Sequence, residues 1–200
     1  MIGIVDYDAG NIASVSNALS AIGTKFIATA DVSILQQCEG IILPGVGSAQ
    51  TAMASLSKNR LVQFLAEVQT PLLGICLGMQ VLHESSEEGN VACLGVMNGK
   101  VRKCDASFGK IPHMGWNGVT KIRENPLLDG IGDGQSFYFA HSYFVDDGLN
   151  TTAVTEQGIS FSSVVRKQNC FGVQFHPEKS GAAGLKVLRN FDSICRSFRP

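Results

Sequence analysis

Cys76 lies between Gly74 and Gly78 in the run PLLGICLGMQVL, from Pro71 to Leu82. The run opens like a buried strand and closes like a helix. Glycines two positions to either side of the cysteine imply a backbone turned so sharply that side chains there would collide. Gly-Ile-Cys-Leu-Gly therefore has the shape of a nucleophile elbow, with a thiol in place of a serine hydroxyl. At a helix start, backbone N–H groups and the helix dipole favour the reactive thiolate. A buried, inert cysteine beside two turn glycines is the alternative.

A nucleophilic thiol requires a base, and the chain has four histidines. His83 falls on the helix after the elbow and is expected at the surface or its boundary. His113 falls in IPHMGWN, which reads as a loop. His141, ending FYFAH, competes as the base. His176 precedes Pro177 and Glu178, so a carboxylate two positions on can orient its imidazole. These spacings favour a triad of Cys76, His176 and Glu178. Attack on a carbonyl also needs donors for the developing oxyanion. The Leu77 N–H, directly after the thiol, is one candidate. The other lies in PGVG (Pro44 to Gly47), at Val46 or Gly47, where glycines permit peptide orientations closed to bulkier residues. PGVG lacks the spacing and the lysine of a phosphate-binding P-loop.

The elements that must carry these residues alternate in the first half. IGIVDY is a strand; Ile12, Val15, Leu19 and Ile22 give a helix with one apolar face. KFIA is a strand, a small helix follows from about Val32 to Cys38, and GIILPGVG is a strand entering a turn. A helical segment runs from about Ser48 to Val68 with a break near Ser57 to Asn59. The second half is β-rich, around Gly99 to Lys103, Gly118 to Ile122, SFYFAHSYF, TTAV, SSVVR and CFGVQFH. A final helix spans about Ala182 to Phe198, with Leu185, Leu188, Phe191 and Cys195 inward. The fold class expected is α/β: a mostly parallel central sheet flanked by helices, with additional antiparallel β structure. PGVG, Cys76 and His176 each follow a strand, and ligands of such sheets bind at the carboxyl ends of the strands.

Composition narrows the remaining classes. Two hundred residues, 44% apolar and 16% charged, suit one globular domain over residues 1–200. A net charge of −1 gives no basic footprint for nucleic acid or anionic membrane. The opening MIGIVDYD has no basic segment, and no apolar run reaches the ~18 residues of a membrane span. A soluble, cytoplasmic protein is expected. The six cysteines form no C-x-x-C pair, which argues against a disulfide framework or a zinc site.

GICLGMQ (Gly74 to Gln80) and the His-Pro-Glu at 176–178 together resemble the class I glutamine amidotransferases. Further segments are similar to one branch of that family, the glutaminase subunits of imidazole glycerol phosphate synthase in histidine biosynthesis. These are DYDAGN (Asp6 to Asn11), PGVG, PHMGWN (Pro112 to Asn117), HSY (His141 to Tyr143) and GVQFHPEKS (Gly172 to Ser180). Asp8 stands where that branch often has glycine. The resemblance implies a flavodoxin-like fold and hydrolysis of glutamine to glutamate and ammonia through a cysteine thioester, without cofactor or metal. It assigns Gln80 and Glu88 to the α-carboxylate and α-amino end of glutamine, with backbone of Ser142 and Tyr143 nearby. Glu84 and Glu87 compete with Glu88 in the same acidic turn. It also implies a partner, a cyclase subunit of (β/α)8 barrel type in a 1:1 heterodimer, receiving ammonia internally. Asn11, Pro112, His113, Met114, Gly115, Trp116, Asn117 and Lys179 are the interface candidates. A buried core loop around Trp116 is the alternative for PHMGWN. Another amidotransferase subunit, of anthranilate, purine or pyridoxal phosphate synthesis, is the alternative for the whole chain.

Overall fold

The computed structural model describes residues 1–8 and 11–199; Ala9 and Gly10 of DYDAGN, and Pro200, lie outside the described residues. The first half alternates as expected: β1 (Ile2–Val5), α1 (Ile12–Ala21), β2 (Phe26–Thr29), α2 (Val32–Leu35), β3 (Gly40–Leu43), α3 (Ala49–Lys58), α4 (Leu61–Glu67), β4 (Leu72–Ile75) and α5 (Leu77–Val81). The second half holds β5 (Ser85–Ser86), β6 (Val91–Ala92), β7 (Lys100–Lys103), β8 (His113–Lys121), β9 (Gln135–His141), β10 (Tyr143–Val145), β11 (Thr151–Gln157), β12 (Ile159–Lys167) and β13 (Cys170–Val173). Helix α6 (Gly181–Ser197) follows. No helix among the described residues is long and apolar enough to cross a membrane.

Nine strands form one sheet in the order β2-β1-β3-β4-β13-β12-β11-β8-β9. Pairing is parallel from β2 to β13 and antiparallel from β13 to β9. The additional antiparallel strands therefore continue the parallel sheet. A smaller sheet runs β10-β7-β5-β6.

Period-two alternation divides the parallel strands between two cores. Ile2, Ile4, Ile42, Leu73, Ile75, Phe171 and Val173 pack with Val15 and Leu19 of α1 and with Leu188 and Phe191 of α6. Val5, Ile41, Leu43, Leu72 and Cys170 pack instead with α2, α3, α4 and α5 through Leu35, Leu56, Leu65 and Met79. Burial on both faces explains why these strands read as continuous apolar runs.

Several boundaries differ from expectation for local reasons. Helix α2 stops at Leu35 rather than near Cys38. The break between α3 and α4 falls at Asn59 and Arg60, because Arg60 adopts a left-handed φ of 59°. SFYFAHSYF divides at Ser142, giving β9 to the large sheet and β10 to the small one. IPHMGWN is no loop: from His113 onward it is strand β8, paired residue by residue with β9.

The parallel strands deliver their carboxyl ends to one edge. Leu43 is in register with Gly74, and Ile75 with Val173, so PGVG, Cys76 and the segment leading to His176 leave the sheet side by side. Cys76 takes φ 53° and ψ −110° between β4 and α5, and its N–H donates to the Val173 carbonyl at 2.8 Å. The flanking glycines are steric requirements. A Cβ on Gly74 would lie 2.7 Å from the Gly78 carbonyl, and one on Gly78 would lie 1.9 Å from the Leu43 oxygen. A Cβ on Gly45 would likewise meet the elbow, 2.6 Å from the Gly78 nitrogen. We expect Gly78→Ala to cost about 3 kcal/mol or more, since backbone cannot give way like a side chain. Gly132→Ala, into open space at an ordinary φ, should stay within about 0.5 kcal/mol. Urea unfolding of the two variants checks both values.

Candidate active site

The strand edge brings Cys76, His176 and Glu178 together. His176 Nδ1 lies 2.9 Å from Glu178 Oε1, with both side chains buried. Burial alone would lower the His176 pKa. Hydrogen bonds and charge from Cys76 and Glu178 overcome it and raise the value to about 10. At neutral pH His176 thus holds a proton between sulfur and carboxylate. The Asn11 side chain approaches the same Glu178 oxygen at 3.5 Å, so this interface candidate faces the carboxylate.

A cleft of about 290 Å³ opens over the thiol. Its wall includes Val46, Gly47, Leu77, Gln80, Glu88, Ser142 and Tyr143, and its mouth includes Pro112, Met114 and Lys179. Oxyanion, substrate and interface candidates thus border one space. Tyr7 steadies the loop on which Val46 sits, its buried hydroxyl donating to the Pro44 carbonyl at 2.8 Å. Burial, and then the neighbouring Cys76, raise the Tyr7 pKa and keep that hydroxyl a donor.

The three glutamates of the acidic turn separate by their partners. Glu84 accepts from the Gly99 N–H and Glu87 from the Lys103 N–H, tying both to the β7 side. Glu88 accepts from the Ala49 N–H at 2.7 Å and borders the cleft. Gln80 borders the same cleft, and its Nε2 donates to the Tyr143 carbonyl at 2.9 Å and to Gln174 Oε1 at 3.0 Å.

Three histidines are settled by burial. His83, expected near the surface, is fully buried, with Nδ1 3.1 Å from the Met79 carbonyl, and burial lowers its pKa. His141 is no base for Cys76. Its Nδ1 donates to the Tyr143 carbonyl at 2.9 Å and its Nε2 faces His113 Nδ1 at 3.0 Å. Burial, then His113, push its pKa down to about 3. His113 is itself buried, stacked on Phe139 with ring centres 4.9 Å apart, and so does not face a partner. Its pKa is lowered by burial. Strand alternation accounts for this: Met114 and Trp116 point outward, 65% and 59% exposed, while His113 turns inward. Trp116 therefore does not centre a buried core. Asn117 bends back to the Glu156 carbonyl at 2.9 Å, and Gly115 continues the strand between the two exposed residues.

Sequence reasoning passed over Gln174. It is fully buried, and its Nε2 lies 3.6 Å from Cys76 Sγ. The available signal was a lone amide inside the apolar run CFGVQF, two positions before His176.

The family model for glutamine amidotransferase class I matches residues 4–193. The chain belongs to the class I glutamine amidotransferases. As an amidotransferase it carries glutaminase activity. Among full-length relatives of this amidotransferase is the imidazole glycerol phosphate synthase subunit HisH of Bacillus cereus strain ATCC 14579, 46% identical over 100% of this chain and 97% of its own length. The HisH subunit of Haemophilus influenzae strain Rd is 40% identical, with 94% of each chain covered. The fold matches a solved glutamine amidotransferase at TM-score 0.76 and 18% identity, covering 98% of each chain. It also matches the PurLQS structure from Thermotoga maritima at TM-score 0.70 and 22% identity, covering 96% of this chain and 97% of that one.

The neutral His141 sets an acid limit on stability. Its folded pKa of about 3 lies below the ordinary value of 6.5. Between these the unfolded chain takes up a proton that the folded chain refuses. Its contribution is complete above 6.5 and drains away as pH falls toward 3. The urea midpoint should decline from about pH 7 to 5, and less steeply in His141→Gln, which keeps a donor for Tyr143. Midpoints measured across that range check the slope.

Proposed function

We propose that this amidotransferase is the glutaminase subunit of imidazole glycerol phosphate synthase, a single domain spanning residues 1–200, and that Cys76, His176 and Glu178 perform its chemistry. The observation carrying this reading is the meeting of the thiol with the His176–Glu178 pair inside a cleft whose rim is the exposed strand of PHMGWN. The full-length HisH relatives support the branch.

In this scheme the Cys76 thiolate attacks the side-chain amide carbon of glutamine. The carbonyl electrons move to oxygen, facing the Leu77 N–H and a donor at Val46 or Gly47. The His176 imidazolium gives its proton to the departing nitrogen, releasing ammonia and leaving a glutamyl thioester. The neutral imidazole then takes a proton from water as that water attacks the thioester, and the thiolate leaves as glutamate forms. Glu178 orients the ring throughout. Glu88 suits the α-ammonium of glutamine, and the backbone of Ser142 and Tyr143 lies alongside. Gln80, on the same wall, lies at the α-carboxylate end.

Ammonia must reach an acceptor before bulk water protonates it. The partner is a (β/α)8 cyclase docked 1:1 over the cleft mouth, using the ammonia to make imidazole glycerol phosphate and aminoimidazole carboxamide ribotide. Met114 and Trp116 are the outward anchors for it, Pro112 and Gly115 flank them, and Lys179 has no acidic partner among the described residues. The Val46 peptide gates the reaction. Gly45 is locked against Gly78, whereas Gly47, at φ 94°, has no atom within 4 Å of a Cβ position. Reorientation is therefore confined to the Val46–Gly47 side, and losing its donor lowers the rate by about 10²–10³.

Glutamate release should be low for the chain alone and rise by about that factor with the cyclase subunit and its nucleotide ligand. Equal rates in all conditions would remove the gate, and high activity alone would indicate a free-standing hydrolase. Cys76→Ala should abolish glutamine-dependent synthesis by the complex while ammonia-dependent synthesis survives; full glutaminase activity in that variant would refute the assignment.

A further inference from the structure

The amides of Gln80 and Gln174 form a directed chain behind the thiol. The Tyr143 carbonyl can only accept, so the Gln80 atom 2.9 Å from it is nitrogen. The same nitrogen lies 3.0 Å from a Gln174 atom, which must then be oxygen. This leaves the Gln174 nitrogen facing Cys76 Sγ at 3.6 Å. The far end of the chain is fixed as well. Tyr143 O also accepts from His141 Nδ1, whose Nε2 accepts from His113 Nδ1. Every member from His113 to Gln174 is held by a partner with one permitted polarity, and the polarity presents a donor to sulfur.

We propose that Gln174 is a further catalytic residue of this amidotransferase, its Nε2–H donating to the Cys76 sulfur and stabilising the thiolate. The inference rests on Cys76 being the nucleophile. His176 also hydrogen-bonds the sulfur, while the Ala140 carbonyl, 3.8 Å from it, suits a thiol hydrogen and opposes a negative charge. A fixed donor reverses that preference, because a hydrogen bond to the charged form favours it. The bond weakens when sulfur becomes an uncharged thioester, and it re-forms as the thiolate leaves during hydrolysis. Gln174 would thus assist thioester breakdown as well as attack by the thiolate.

The titratable groups around the thiol are His176 with Glu178 behind it, Tyr7 after β1 and His141 on β9. Glu88 and Lys179 stand at the cleft wall. Gln174→Met keeps all of them and removes the donor. The rate at which iodoacetamide alkylates Cys76, followed by mass spectrometry of its peptide, reads the thiolate directly. In Gln174→Met the rate at mildly acidic pH should fall about tenfold, the effect of one hydrogen bond to a charged atom, and the deficit should shrink as pH rises. An unchanged profile, or a loss equal at every pH, would overturn the inference. Because the single variant leaves Gln80 without its acceptor, Gln80→Met/Gln174→Met removes both polar ends. It should show the same pH-dependent deficit, and in a folded double variant its absence counts equally against the proposal. A parent Cys76 no more reactive than the other five cysteines would overturn the nucleophile assignment and this inference together. A reactive Cys76 indifferent to Gln174 would overturn this inference alone.

Discussion

The approach of the Leu43 carbonyl to Gly78 governs the site. No side chain fits between the end of β3 and the first turn of α5, so the two backbones meet directly. That closeness forces glycine at 45 and 78 and sets PGVG beside the thiol, while the elbow itself, with Cys76 at a positive φ, brings Gly74 against the Gly78 carbonyl. A residue held at φ 53° is strained by about 1–3 kcal/mol, and the β4–β13 pairing that anchors its N–H maintains it. Cys76 is placed by backbone, before any side chain contributes.

Around that placement the polar groups divide by charge. His176 and Glu178 carry the ions, on the segment just beyond β13. His113, His141, Gln80 and Gln174 form a neutral buried chain on the side of β8 and β9. Burial holds both histidines uncharged, which spares the site a cation that would compete with His176. A neutral chain also gives each hydrogen a single direction, so it can position groups without titrating.

The elbow and the His176–Glu178 pair were legible because each depends on spacing within a few residues, and the shared strand edge because each segment follows a strand. The two-core sheet was legible from continuous apolar runs. The pairing of β8 with β9 was not. A proline and a glycine made IPHMGWN resemble a loop, and only pairing with β9 turns it into a ladder. His83 was misplaced for a related reason: one polar residue at the end of a short helix says nothing about what covers it, and here the Met79 carbonyl of α5 and the turn at Gly99 lie against its ring. His113 was assigned outward, yet an aromatic ring claims it. Gln174 sat in plain view, but its meaning depends on the polarity of an amide two partners away.

Alternation along β8 gives the molecule an optical property. Trp116 is the only tryptophan in the chain, it stands 59% exposed, and its nearest aromatic neighbour is Tyr138 at 6.2 Å. Indole emission from this protein therefore has one source on one face. Whatever covers that strand strips water from the indole and moves its emission to shorter wavelength. Events confined to the interior, such as acylation of the thiol, leave the solvent shell of the indole intact. The chain carries its own unlabelled fluorophore for distinguishing a covered rim from an occupied cleft.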